Sequence, residues 1–269
     1  MRRTQRRGRW LLRVVTYVFC GFMLGPVVVL VGSAFTSRNY VQFPPHGLSL
    51  KWFTSLASDS GFLRALMVSL IIATLSMLIC VGLGLGAVLL FRRLGAGHRR
   101  MLEAFYLLPA LAPSLVIGIG LLFMLSKVGL VGNWYGLLGG HVVLGLPFAI
   151  RSIASAVAAL DVSYERAATA AGASPAVVLR RVTLPMLRPG IVAGSLFAFL
   201  MSFNNITITV FIARSNLQTV PLLLFSRSQD IVSPSVAAIA VVVLALTVIV
   251  VVLLERFFSI FQNAREQVS

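Results

Sequence analysis

A hydrocarbon layer about 30 Å thick takes roughly 20 residues of helix to cross. Six stretches of this chain reach that length with few charges: approximately Leu11–Phe35, Phe62–Phe91, Met101–Leu125, Tyr135–Ala159, Gly190–Ala213 and Val236–Leu254. Peptide groups in hydrocarbon have no water to pair with, so each stretch must close its own hydrogen bonds as a helix. That requirement sets the expected fold class before any motif is read: an all-α polytopic membrane protein with six transmembrane helices. Composition agrees, with 58% of residues hydrophobic and only 11% charged, far from the balance of a soluble domain.

The net charge of +16 invites a nucleic-acid reading. The basic residues, however, fall in blocks between the apolar stretches, where the preference of Lys and Arg for the inner side explains them. With the N-terminus inside, seventeen of the 23 Lys and Arg residues lie in inner segments and six in outer ones. Both termini are therefore expected to be cytoplasmic, together with segment 161–189. Arg2, Arg3, Arg6, Arg7 and Arg9 precede the first stretch as they would in a signal peptide. That stretch is too long for a signal's apolar core and reads as a retained span. Membrane lipid is the expected surrounding, and no nucleic acid is expected as a partner.

Small residues mark where helices can approach closely. The second span has Ala65, Ser69 and Ala73, then Gly82 and Gly86; the fifth has Gly190, Gly194, Ala198 and Ser202, four apart throughout. Both are expected in the packed centre, and the first span, without such a stripe, at the periphery. Pro109 and Pro113 in the third span and Pro147 in the fourth predict breaks or kinks. In the outer loop Thr36–Gly61, the piece Ser49–Ser58 brings Trp52 and Phe53 to the membrane interface. Cys20 and Cys80 lie in apolar stretches and read as packing residues, without metal-ligand spacing. Residues 1–269 read as one transmembrane domain: first span and outer loop 1–61, a five-helix core 62–254, and a cytoplasmic tail 255–269 with no fused ATPase.

The segment Asp161–Gly190 cannot lie in a bilayer, because it carries Asp161, Glu165, Arg166, Arg180, Arg181 and Arg188 and charge at membrane depth is expensive. It nevertheless reads as ordered. Ser163 is placed to cap a first helix, with Glu165 near its positive end. Gly172 stops that helix. Ser174-Pro175 starts a second through Ala176–Val182, and Pro185 and Pro189 mark the way out. Ala167, Ala168, Ala170 and Ala171 leave the first helix with little bulk, so another backbone can come close.

Ala167-Ala168, three residues, Gly172, nine residues, then Val182-x-Leu184-Pro185 resembles the EAA loop of ABC importer permeases, E-A-A-x3-G-x9-I-x-L-P. Arg166 stands at the motif's glutamate position, and Glu165 lies one residue earlier. The resemblance implies the MetI-like fold of type I importers and a loop, carried by Glu165, Arg166, Ala167, Ala168, Gly172, Leu184 and Pro185, that docks on a cytoplasmic ATPase. It also implies the partners: an ATP-binding cassette ATPase dimer, a second homologous permease subunit and an extracytoplasmic solute-binding protein, at a bacterial inner membrane. ATP and Mg would bind the partner, and this chain would need no cofactor of its own.

No catalytic constellation is apparent. Gly82-Leu83-Gly84-Leu85-Gly86 lacks the lysine of a phosphate loop, and His46, His98 and His141 are dispersed. His141, within the fourth span, reads as a structural hydrogen bonder or as a pathway residue. No carboxylate lies deep in a span, which disfavours a secondary transporter or channel working without an ATPase. The polar run Ser202-Phe203-Asn204-Asn205 in the fifth span is the candidate substrate path, with interhelical hydrogen bonding as the alternative. From there to Ala240 the chain looks like the spermidine/putrescine-type permease branch, with Asn204 and Asn205 at positions where that branch often has acids. The expected function is a transport subunit rather than an enzyme, passing a small solute such as a polyamine or related organic molecule.

Overall fold

The computed structural model describes residues 2–230 and 233–266, with the side chains of 2–11, 96, 215, 230 and 257–266 outside the description. Arg2, Arg3, Arg6, Arg7, Arg9 and Arg265, which weigh in the charge count, are among those undescribed side chains, and 267–269 of the tail lie outside altogether. Among the described residues the chain is helical, and the one extended pairing is a bridge between Thr36 and Leu48. In order come α1 (Arg2–Ala34), α2 (Lys51–Ser58), α3 (Ser60–Phe91), α4 (Ala96–Leu111), α5 (Ser114–Lys127) and α6 (Trp134–Ala158). They are followed by α7 (Val162–Ala170), α8 (Pro175–Val178), a π-helical turn (Leu179–Thr183), α9 (Leu184–Met186) and α10 (Arg188–Phe203). Then come α11 (Thr207–Ile212), α12 (Val220–Asp230) and α13 (Pro234–Glu266).

Among the described residues four helices are each long and apolar enough to cross a membrane: Leu12–Ala34, Ser60–Phe91, Trp134–Ala158 and Pro234–Arg256. The bent pairs Gly97–Leu111 with Ser114–Lys127 and Pro175–Met186 with Arg188–Phe203 bring the number to six when each counts as one span. The third expected span is thus two helices meeting at 100°. Pro113 is responsible: its ring disfavours helical backbone at Ala112, which is extended at ψ 144°. Pro147 lies inside α6, which continues through it without a break. The fifth expected span is also divided, since α10 ends at Phe203 and α11 begins at Thr207.

The chain forms two compact units, the described parts of Met1–Leu63 with Leu224–Leu246 and of Arg64–Leu223 with Thr247–Ser269. In the first, α1 is exposed along most of its apolar length, and Cys20 is exposed with it rather than packed. Trp52 and Phe53 fold back on the end of α1: the indole N–H donates to the Thr36 carbonyl at 3.0 Å, and the Phe53 ring lies 5.0 Å from that of Phe35. Asp59 caps α3 through the N–H of Phe62 at 3.0 Å and accepts from Arg227 of α12 at 2.7 Å. Although its partial burial works the other way, these bonds hold its carboxyl below the usual range.

The second unit is organised on α6, which buries ten of its residues. α10 lies along it in a four-residue register. A Cβ on Gly190 would fall 3.1 Å from Ile153 Cα, one on Gly194 3.3 Å from Ala149 Cα, and one on Gly145 3.5 Å from Ala198 Cα. The small stripe of the fifth span therefore meets a matching stripe on the fourth. On α3 the expected stripe holds through Ala65, Ser69 and Ala73, all buried. It fails at Gly82 and Gly86, which have open space beside them; Gly84 makes the close approach, 3.3 Å from the Ile150 nitrogen. Nine residues from Ala73 to Gly82 are two and a half helical turns, so Gly82 faces the opposite way.

Candidate functional site

α7 begins where its capping chemistry lies. The carboxylate of Asp161 accepts from the N–H of Ser163 at 2.8 Å, so the cap is Asp161 and not Ser163. The cap must precede the helix to reach its first free N–H groups. Glu165 sits in the first turn. At the other end Gly172 takes φ +85°, with Ala173 N–H donating to Ala168 at 3.1 Å and Gly172 N–H to Thr169 at 3.0 Å. This paired return is the Schellman arrangement, which requires left-handed backbone at the glycine. Pro175 then opens α8 at its first turn.

The second helix does not end at Val182. It widens into the π turn Leu179–Thr183 and runs on through Pro185 to Met186. Proline lacks an N–H and crowds the carbonyl four residues back, and a widened turn just before it relieves both demands. The change of direction comes at Leu187, where α10 departs at 64°. Arg166 and Ala167 are exposed, Ala168, Leu184 and Pro185 half-buried, and Gly172 exposed. Tyr164 and Val177 add exposed apolar surface to the same segment.

Glu165 has partners that sequence reasoning did not identify. Both N–H groups of the Arg92 fork donate to its two carboxylate oxygens at 3.0 and 2.6 Å, and the Thr183 hydroxyl donates at 2.6 Å. The Arg92 hydrogen bond holds its carboxyl below the usual range. The pair borders an open hollow of about 900 Å³ between the end of α3 and the loop, lined also by Leu89, Arg93, Arg166 and Thr169. One signal in the sequence pointed this way: arginines far outnumber carboxylates in the inner segments. Glu103, near the start of the third span, pairs within its own helix, accepting from Arg99 at 2.7 Å.

The four path residues separate into two environments. Ser202 and Phe203 are buried: Ser202 Oγ lies 2.8 Å from His141 Nδ1, and the Phe203 ring stacks on Phe199 at 5.4 Å. Asn204 closes α10 and is exposed, its amide donating to the Leu200 carbonyl at 3.3 Å. Asn205 uses its side-chain oxygen to accept from the N–H of Ile208 at 2.9 Å, which caps α11. The break between α10 and α11 is therefore built by asparagine capping rather than by proline or glycine. His141 spans it, since its Nε2 lies 3.3 Å from Thr209 Oγ1 on α11 while Nδ1 meets Ser202 on α10.

The chain matches the family profile described as "Binding-protein-dependent transport system inner membrane component" over residues 79–259. It is 27% identical over 247 residues to the "Spermidine/putrescine transport system permease protein PotC" of Escherichia coli (strain K12), with 91% of each chain covered. It is 28% identical over 245 residues to PhnV of Salmonella paratyphi A (strain ATCC 9150 / SARB42), which carries a provisional name as a 2-aminoethylphosphonate transport system permease protein; the match covers 90% of this chain and 92% of that one. Among solved structures, a bacterial ABC transporter involved in the import of the acidic polysaccharide alginate superposes with a TM-score of 0.74 at 14% identity, covering 96% of this chain and 98% of the other. The fold is thus shared at a distance, and the profile spans most of the core. The chain belongs to the family of binding-protein-dependent transport system inner membrane components, the permeases of ABC importers.

Proposed function

We propose that this chain is one permease subunit of an inner-membrane importer. It works with an ATP-binding cassette ATPase dimer, a second related permease and an extracytoplasmic binding protein. The observation that carries the reading is the exposed helix–glycine–helix segment from Asp161 to Leu187, capped at Asp161 and closed by the Schellman turn at Gly172. Such a segment is rigid enough to pass a push, and its Arg166–Ala167–Ala168 face has little side-chain bulk near the backbone. In this reading both termini are cytoplasmic and Arg166, Ala167, Ala168, Gly172, Leu184 and Pro185 form the coupling face. ATP and Mg bind the partner, and no chemistry occurs on this chain.

The solute proposed is a small amine-bearing organic molecule, the chemistry common to the names of the two relatives. Asn204 offers its amide to the path, Asn205 sets the break beside it, and Ser202 and Phe203 hold the wall behind. Amides in place of carboxylates give a cation dipoles without net charge, so passage rests more on delivery than on attraction. The test is affinity purification from the native membrane in mild detergent, followed by an ATPase assay and uptake of labelled putrescine and 2-aminoethylphosphonate into reconstituted vesicles. Recovery of an ATPase and a second permease, with ATP-dependent uptake, is the expected result. A chain that purifies alone, under conditions that keep other complexes whole, overturns it.

A further inference from the structure

The Glu165 contact lies wholly within this chain. Its carboxylate joins three segments distant in the chain: Arg92 just past α3, the first turn of α7, and Thr183 in the π turn. A bidentate arginine–carboxylate pair fixes angle as well as distance. The two side chains are 26% and 16% exposed, so water and salt screen them less than a surface pair.

The loop's covalent links to the spans pass through changes of direction. One is the turn between α6 and α7, and the other is Leu187, where α10 leaves at 64°. The Arg92 link lands instead beside α3, an uninterrupted helix of 32 residues. By contrast α4 and α5 meet at 100°, and α10 is separated from α11 by Asn204–Ile206. Along its length α3 packs Gly84 against Ala149 and Ile150, and Ser69 Oγ accepts from the N–H of Val220 at 2.8 Å. A displacement at Arg92 therefore reaches the far part of α3, roughly 40 Å away at 1.5 Å per residue, without crossing a hinge.

We propose that Arg92, Glu165 and Thr183 are positioning residues forming a brace through which the coupling loop drives α3 directly. This rests on the reading of the loop as the ATPase-docking element. Glu165 is then committed within the chain, and the docking polarity falls to Arg166.

The test uses the full complex in vesicles, with Cys20→Ser, Cys80→Ala and a reporter, Arg64→Cys, at an exposed site near the far end of α3. The probe is a charged, membrane-impermeant maleimide, applied with and without ATP, Mg and vanadate. With the brace intact, nucleotide is expected to change the labelling rate severalfold. Glu165→Gln and Arg92→Gln should each abolish that change while the ATPase still co-purifies, and the double variant should do no more than either single one, the non-additivity of a direct contact. A full nucleotide response in both single variants, or additive losses, overturns the brace. So does loss of the ATPase in Glu165→Gln alone, which would place that carboxylate in the partner contact. If both variants shed the ATPase, Thr183→Val carries the test, and an undiminished response there overturns the proposal. Failure of the unaltered chain to bring down any ATPase is a different result, and removes the importer reading first.

Discussion

Two polar clusters join pieces of helix in the second unit, and they are made of opposite chemistry. At the loop, Arg92, Glu165 and Thr183 use full charges, where the side chains border an open hollow. Between α6, α10 and α11, His141, Ser202 and Thr209 do the same work with an imidazole and two hydroxyls, all buried. The difference follows from the surroundings. A charge at membrane depth is costly even when paired, whereas hydroxyl and imidazole bonds between helices contribute about 0.6 to 2 kcal/mol each. The chain therefore fastens its joints by charge where water can reach and by neutral dipoles where it cannot.

The largest expected effect breaks the inner cluster. His141→Leu strands the Ser202 hydroxyl and leaves that of Thr209 only its 3.4 Å bond to the Asn205 carbonyl, at a cost of about 2 kcal/mol. Thermal unfolding in detergent should show a clear drop. Replacing the hydroxyls as well, in His141→Leu with Ser202→Ala and Thr209→Val, should recover much of it, because no buried polar group is then left without a partner. A triple variant no more stable than the single one would mean that the bonds are incidental to packing.

Next in size is Gly172→Ala, which leaves the packing alone, since a Cβ there meets nothing within 4 Å. The cost arises from φ +85°, about 1 to 2 kcal/mol for an L-residue with a Cβ. Hydrogen exchange at residues 168–173 should speed up, and Gly172→Asn should fall between, because asparagine tolerates left-handed backbone better. Unchanged exchange in Gly172→Ala would show that the turn can reform without its left-handed residue.

A smaller effect separates charge from dipole by pH. The Arg92 hydrogen bond holds the Glu165 carboxyl below its ordinary value of 4.5. A depressed folded pKa contributes stability above the unfolded pKa, and that stability is lost as pH falls through the folded value. Protection of the α7 amides should thus persist from about pH 7 to about 5 and decline only below the ordinary glutamate range. Glu165→Gln should lower it by about 1 kcal/mol at neutral pH. A loss already complete near pH 6 would point to a different titrating group.

Much of this was legible in the sequence, and the reasons for the exceptions are specific. The long apolar stretches and the helix–glycine–helix loop were visible because hydropathy, Gly172 and Pro175 act locally. The break at Ala112–Pro113 was signalled by proline. The break at Asn204–Ile206 was not, because asparagine caps a helix only in a context that hydropathy does not reveal. The Glu165–Arg92 pair joins residues 73 apart in sequence, and no local pattern records such a meeting. Ser202 was singled out for polarity in an apolar run, which was sound, but that polarity is engaged by His141.

The mildest prediction tests the one face that the sequence misassigned. Buried positions on α3 continue from Ala73 through Ser76, Cys80 and Val88, with Gly84 on the same side. A Cβ on Gly84 would press on the backbone of α6, 3.3 Å from the Ile150 nitrogen and 3.5 Å from the Ala149 carbonyl carbon, whereas one on Gly82 meets nothing within 4 Å. Alanine is favoured over glycine in a helix by up to about 1 kcal/mol. Gly82→Ala should keep that gain and raise the unfolding temperature slightly. Gly84→Ala should forfeit it, because a helix backbone, unlike a side-chain tip, yields only if the two helices move apart. Equal stability for the two variants would mean that α3 and α6 separate at little cost, and the packed centre of the second unit would then have to lie on the α6–α10 contact alone.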